Sequence, residues 1–142
     1  MPRPADVLES MLGSWLADPE SDVVGVERVD GRWAVRLRQR VRDATTVWWD
    51  VGTRSIRAEA YVLPEPPSGA LECFRLCLDR NRSTRRARFA VDREGAIVVR
   101  GWLPVEDVSP ATLDELLGEV YELVETTFGP LVRLGFGREK TP

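Results

Sequence analysis

The stretch "TTVWWDVGTRSIRAEAYVLP", residues 45–64, reads as two strands that double back on each other. Val47, Trp49 and Val51 alternate with Thr46, Trp48 and Asp50. Beyond the turn "VGTR", Ile56, Ala58, Ala60 and Val62 alternate with Arg57, Glu59 and Tyr61. A strand sends successive side chains to opposite faces, so this period of two predicts one buried face and one wet face. A sheet covered on both sides would need near-continuous apolar runs, and these are absent here.

The same logic extends in both directions. Upstream, "VVGVERV" and "WAVRLRQRV" flank "DGR", and Asp30-Gly31 is a strong tight-turn signal. In the second of these strands Trp33, Val35, Leu37 and Val41 share one face, with Gln39 as the odd member; Arg36, Arg38 and Arg40 share the other. Before the hairpin, Val7, Leu8, Met11, Leu12, Trp15 and Leu16 fall at helical spacing, and Pro19 ends that helix.

Downstream, "PEPPSG" (64–69) is a loop. "ALECFRLCLDRN" then predicts a helix with Leu71, Cys73, Phe74, Cys77, Leu78 and Asn81 on one stripe. "RARFAVD" and "AIVVRGWLP" form a further hairpin over "REG", setting Ala87, Phe89 and Val91 opposite Ile97, Val99 and Leu103. The last helix opens with Ser109 as cap and Pro110 in its first turn. It buries Leu113, Leu116, Leu117, Val120, Leu123, Val124 and Phe128; Gly129-Pro130 is expected to interrupt it, leaving "LVRLGF" as one short further turn. The element order αββββαββα predicts an α+β fold. It has one antiparallel sheet of about five to six strands, with the N-terminal, middle and long C-terminal helices packed mainly on one face.

The 142 residues are expected to form a single domain over 1–142, with 43% apolar and 30% charged residues typical of a globular chain. Net charge is −3, yet the charge is segregated. Residues 5–27 carry six acids and no base, residues 104–128 seven acids and no base, and the middle is arginine-rich with Lys140 the sole lysine of the chain. Arginine in place of lysine is the expected bias of GC-rich coding. There is no apolar run long enough to span a membrane, the first ten residues lack a signal-peptide layout, and two cysteines make no disulfide framework. A cytoplasmic protein is expected.

Chemistry is sparse. Histidine is absent, which removes the commonest general base and metal ligand together. Cys73 and Cys77 could offer half a zinc site, but no histidine or third cysteine completes it, so they read as buried thiols. Glu59, Asp92 and Glu94 are the carboxylates of the later strands, and Asp92 is expected to shape the "DREG" turn through its side-chain acceptor. Neither "GRWAVRL" nor "GFGREK" matches a phosphate-loop fingerprint. No catalytic residue, metal site or cofactor is expected.

The run from Val47 to Phe136 resembles the YbjN domain family, which shares the fold of type III secretion chaperones. The resemblance is carried by "VWWDVGTRSIRAEAYVLP", "LDRNR", "FAVDREGAIVVRGWLP" and "LDELLGEVYELVETTFGPLVRLGF". Within them stand the apolar-Pro pair Leu63-Pro64, the basic-Asn step Arg80-Asn81 and the strand from Phe89 to Asp92. The resemblance implies a non-enzymatic protein-binding or regulatory module, often dimeric, with no catalytic residue to carry over. The arginines that follow Asn81 depart from the family pattern.

Strand alternation gathers Arg36, Arg38, Arg40, Trp48, Arg57, Tyr61, Arg88, Arg100 and Trp102 opposite the apolar face. Arginine and large aromatics dominate interface hot spots, so this face, or a sheet edge, is the candidate surface for a protein partner or a second copy of the chain. Single-stranded nucleic acid is the competing partner, through backbone charge and base stacking. The acids of the two flanking segments argue against it, as does an element order unlike the common RNA-binding sheet module. No membrane partner is expected. The run "RNRSTRRAR" (80–88) holds five arginines but divides into three parts: a helix end at Arg80 and Arg82, a connection over 83–86, and Arg88 already in a strand.

Overall fold

The computed structural model describes residues 2–137; Met1 and residues 138–142, with Lys140 and the end of "GFGREK", lie outside the described residues. The elements are α1 (Pro4–Ala17), β1 (Val23–Val29), β2 (Arg32–Arg38), β3 (Ala44–Val51), β4 (Ser55–Leu63), α2 (Ala70–Arg80), β5 (Ala87–Val91), β6 (Ile97–Pro104) and α3 (Pro110–Phe136). The six strands form one antiparallel sheet in the order β1-β2-β3-β4-β6-β5. The α+β class and the αββββαββα order are those the patterning predicts. Strands β4 and β5 run the same way with β6 between them, so the connection through α2 is a crossover.

Local chemistry explains the joints. Asp30 (φ 51°) and Gly31 (φ 81°) both take the left-handed conformation that a two-residue hairpin requires, between the paired Val29 and Arg32. Asp92 Oδ1 accepts from the backbone N–H groups of Glu94 and Ala96, both at 2.9 Å, and so shapes the β5–β6 turn as expected. Ser109 caps α3: its hydroxyl accepts from Thr112 N, and the Thr112 hydroxyl accepts from Ser109 N.

The core lies between the sheet and the helices. Leu8, Leu12 and Trp15 of α1, Cys73 and Cys77 of α2, and the Leu113 to Leu131 stripe of α3 close over Val35, Leu37, Val47, Trp49, Ile56, Ala60 and Val99. Trp49 is fully buried with Trp15 packed on it, ring centroids 5.9 Å apart. Gly101 is the point of closest approach. A Cβ there would collide with Leu116 Cδ1 of α3 and with the Arg86 carbonyl, so the missing side chain admits the helix.

Three details differ from the sequence reading. α1 starts at Pro4, three residues earlier than its apolar spacing suggests, with proline in its first turn where no N–H is needed. β2 ends at Arg38, so Arg40 is not on the sheet face: its backbone N–H donates to Glu125 Oε1 of α3. Gln39, the odd member of the apolar face, is buried but satisfied, donating to Glu125 at 2.8 Å and accepting from Thr45 at 2.6 Å. Most markedly, α3 runs unbroken through Pro130 to Phe136. An internal proline costs about 3 kcal/mol. Beyond it Leu131 is fully buried, worth about 1.5–3 kcal/mol, and Val132, Leu134 and Phe136 add to the packing. Gly135 lies so close to Pro66 and Cys73 that the helix end is fixed in place.

Gly101→Val should destabilise the fold by at least about 1–3 kcal/mol, the usual cost of overpacking. Urea unfolding should show it as a lower midpoint at unchanged slope, and an unchanged midpoint would remove Gly101 as the constraint on α3.

Candidate functional site

The helices leave the other face of the sheet open. Arg36 and Arg38 of β2, Trp48 of β3, Arg57 and Tyr61 of β4, Arg100 and Trp102 of β6 and Arg88 of β5 all stand on it, as the alternation predicts. Trp102 is 60% exposed and Tyr61 53%. An antiparallel sheet tolerates such a face because its strands need only one buried side.

Register resolves the eight residues into two halves. Around β1–β3, Arg38 pairs loosely with Asp22 at 3.7 Å, and the Arg32 guanidinium lies 4.5 Å above the Trp48 ring, worth about 0.5–1 kcal/mol at an exposed site. Trp48 is therefore largely occupied within the chain, and Arg36 stands beside it over Gly25. At the other end, one row runs Trp48–Glu59–Arg100–Arg88 across β3, β4, β6 and β5. Arg100 Nε donates to Glu59 at 2.7 Å. A second row sets Asp50 opposite Arg57 and Arg57 opposite Trp102.

The connection beside this end is tied down, not free. Asn81 uses its amide as a substitute strand residue: Nδ2 donates to Phe89 O at 3.2 Å, and Oδ1 accepts from Phe89 N at 2.7 Å. Thr84 donates its hydroxyl to Ala87 O. Glu119 of α3 accepts from three successive backbone N–H groups, Arg85 (3.0 Å), Arg86 (2.7 Å) and Ala87 (2.9 Å). Arg86 Nε donates to Glu115 at 2.9 Å, and Arg85 lies 3.6 Å from the same carboxylate. The outer edge of β5 is thus covered by its own connection, which blunts strand addition there. Among the described residues, no backbone group of another segment covers the outer edge of β1 in this way. Sequence reasoning missed Glu115 and Glu119; their spacing of four on an acidic helix, facing an arginine-rich connection, was the available signal.

The stripe of α2 is narrower than predicted. Cys73 and Cys77 are buried, but Leu71 and Leu78 (67% exposed) face outward. With Phe74, Ala90 and Val91, Leu78 borders an apolar groove of about 290 Å³. Leu71 and Leu78 sit two positions before Cys73 and one after Cys77, so the buried arc of this short helix reaches neither. Burial pushes the Cys77 thiol up to about 12, with Cys73 adding to the shift, so neither thiol is poised as a nucleophile. Arg42, unremarked in the sequence, closes the far end of β4: it donates to the carbonyls of Val62 and Tyr61, both at 2.7 Å, and stacks over Phe128. Burial lowers its pKa. The acids collect elsewhere, around a cleft between the α1–β1 connection and α3 that Asp18, Glu20, Asp22, Asp114 and Glu122 line. Among the described residues, no group of three acidic or sulfur side chains is arranged to hold a metal ion, and no helix is long and apolar enough to cross a membrane.

The α+β fold of one antiparallel sheet with its helices on one face is similar to that of type III secretion chaperones. A chain of the ExoU-SpcU complex from the type III secretion system of Pseudomonas aeruginosa superimposes with a TM-score of 0.59 at 14% identity, over 87% of this chain and 96% of the other. A chain of the HopA1-SchA chaperone-effector complex does so at 0.60 and 11%, over 87% and 91%. YbjN from E. coli superimposes at 0.54 and 16%, over 82% and 85%. The chain belongs to the YbjN family, described as "Putative bacterial sensory transduction regulator", whose pattern matches residues 6–131. Its curated relatives include uncharacterized proteins of Mycobacterium tuberculosis, 34% identical over 61% of this chain and 47% of the other, and Mycobacterium leprae, 31% identical over 74% and 57%. The chain spans about half the length of these relatives.

The Arg86 hydrogen bond holds the Glu115 carboxyl below the usual glutamate range, aided by the nearby Arg85 charge. A depressed carboxylate stabilises the fold fully above its unfolded value, about pH 4.3, and loses that contribution as pH falls through the lower folded value. Carboxyl carbon NMR titration should place Glu115 below an ordinary glutamate and Arg86→Met should return it upward. Glu119→Ala should cost about 1–3 kcal/mol by orphaning backbone donors and should speed amide exchange at Arg86 and Ala87.

Proposed function

We propose that this protein is a non-enzymatic binding module that engages a protein partner through the open face of its sheet, in a regulatory role. One observation carries this reading: the helices bury one side of the sheet and leave exposed Trp102 and Tyr61 among arginines on the other. Trp, Tyr and Arg supply most hot-spot energy in protein interfaces, and an uncovered tryptophan has no packing reason to be there. Partner-bound complexes among the fold neighbours lend support by analogy, with identities that bear on the fold alone. A soluble, cytoplasmic setting fits the same reading.

Self-association is the second reading, favoured by the exposed Leu71, Leu78 and Val91 around α2 and β5. Single-stranded nucleic acid is disfavoured because Asp50 and Glu59 sit among the arginines of the open face.

A photo-crosslinking residue placed at Tyr61 or Trp102 in the native cell should capture a discrete protein partner, whereas one at Leu16 on α1 should not. Equal capture at all three positions would overturn the sheet-face reading. Leu71→Ser with Leu78→Ser should lower the sedimentation coefficient if α2 is a dimer contact; an unchanged coefficient removes self-association there. Micromolar, steeply salt-dependent binding of an oligothymidine strand would favour nucleic acid instead.

A further inference from the structure

The open face is unevenly neutralised. Arg88 stands directly opposite Arg100 across β5 and β6. Like charges in that position repel. The one carboxylate in the row, Glu59, is hydrogen-bonded to Arg100, and among the described residues Arg88 has no ion-pair partner. The Glu115 carboxylate of α3 does not relieve this, since it is already paired with Arg85 and Arg86. One guanidinium pair therefore shares one carboxylate, at the rim of a groove of about 410 Å³.

The groove has an apolar neighbour at a defined spacing. Trp102 follows Arg100 by two residues on β6, so the two side chains share the open face about 6.8 Å apart along the strand. An extended segment lying along β6 repeats its own side chains at the same interval. An acid on such a segment would meet Arg88 and Arg100, and the side chain two positions away would meet the exposed Trp102 ring.

We propose that this end of the sheet binds an extended acidic segment of a partner protein, with a carboxylate on the Arg88–Arg100 pair and an apolar side chain two residues along on Trp102. The proposal rests on the reading of the open face as the partner surface and adds the chemistry of what it takes. A phosphate backbone suits the site less well. Its uniform charge would run from this pair onto Glu59, Asp50 and Glu27, which occupy the same face and would repel it.

The test is a titration of the full chain, followed by its tryptophan indole N–H resonances, with a short β-prone peptide carrying Glu-Thr-Leu. Trp102→Phe assigns the reporter peak. The Trp102 signal should shift saturably, Arg88→Glu should weaken binding by about tenfold or more, and a Lys-Thr-Leu peptide should give no shift. Arg36→Glu, on the distant half of the face, should leave affinity within about twofold. Arg88 is exposed, so its variant should melt like the parent. Equal shifts with the acidic and basic peptides, or indifference to Arg88→Glu, would overturn the acidic-segment assignment. So would tighter, Arg88-dependent binding of an oligothymidine strand. If crosslinks from Tyr61 and Trp102 still capture a protein while the peptide ignores charge, the chemistry assigned here fails and the surface stands. If those crosslinks are absent as well, both fail.

Discussion

Helix α3 lies across the sheet with Leu116 seated where Gly101 has no side chain, and the other parts of the fold are fastened to that helix. It packs on β4, β5 and β6 as well as on α1 and α2. Its buried stripe supplies the largest helical share of the core, and its acids hold the two polar connections. Glu119 binds the backbone of residues 85–87, while Glu125 receives Gln39 and the Arg40 N–H. One element thus performs both tasks that a half-open sheet requires: burying one face, and satisfying polar backbone where strands end. It also explains the continuity through Pro130. The segment beyond the proline is held by packing on α2 and the 66–68 loop, and this burial outweighs one lost hydrogen bond.

The two edges of the sheet are treated differently. Asn81, Thr84 and Glu119 occupy the outward backbone groups of Ala87 and Phe89 on β5, so part of the arginine-rich run serves as an edge guard. This division has a functional consequence. With Arg85 and Arg86 drawn back to α3, Arg88 stands on the open face beside Arg100 with no ion pair among the described residues. What that end of the sheet offers the proposed partner is side chains rather than free strand backbone.

Much of this was legible because it depends on neighbours along the chain. Period-two alternation assigned the buried and wet faces of residues 45–63, Asp30-Gly31 fixed a hairpin, and Ser109-Pro110 marked a helix start. Each of these is a local rule acting within a few residues. Eight of the nine residues expected on the open face stand on it for the same reason. Where the reading failed, a distant partner decided. The stripe of α2 was drawn too wide because sequence cannot say how much of a helix its neighbours cover, and Leu71 and Leu78 are left outside. Arg40 was placed on the sheet, but Glu125, far along the chain, draws its backbone off the strand.

The sequence by itself determined the elements, their order and which side of each strand is apolar, since those follow from spacing and turn chemistry. Tertiary structure alone decided that β6 lies inside β5. That order sets Glu59 opposite Arg100, puts Trp102 beside Arg57 and brings Gly101 under Leu116. The physical reason is that cross-strand register and helix docking are set by long-range packing, in which a residue's partner is chosen by the whole core and not by its neighbours in the chain.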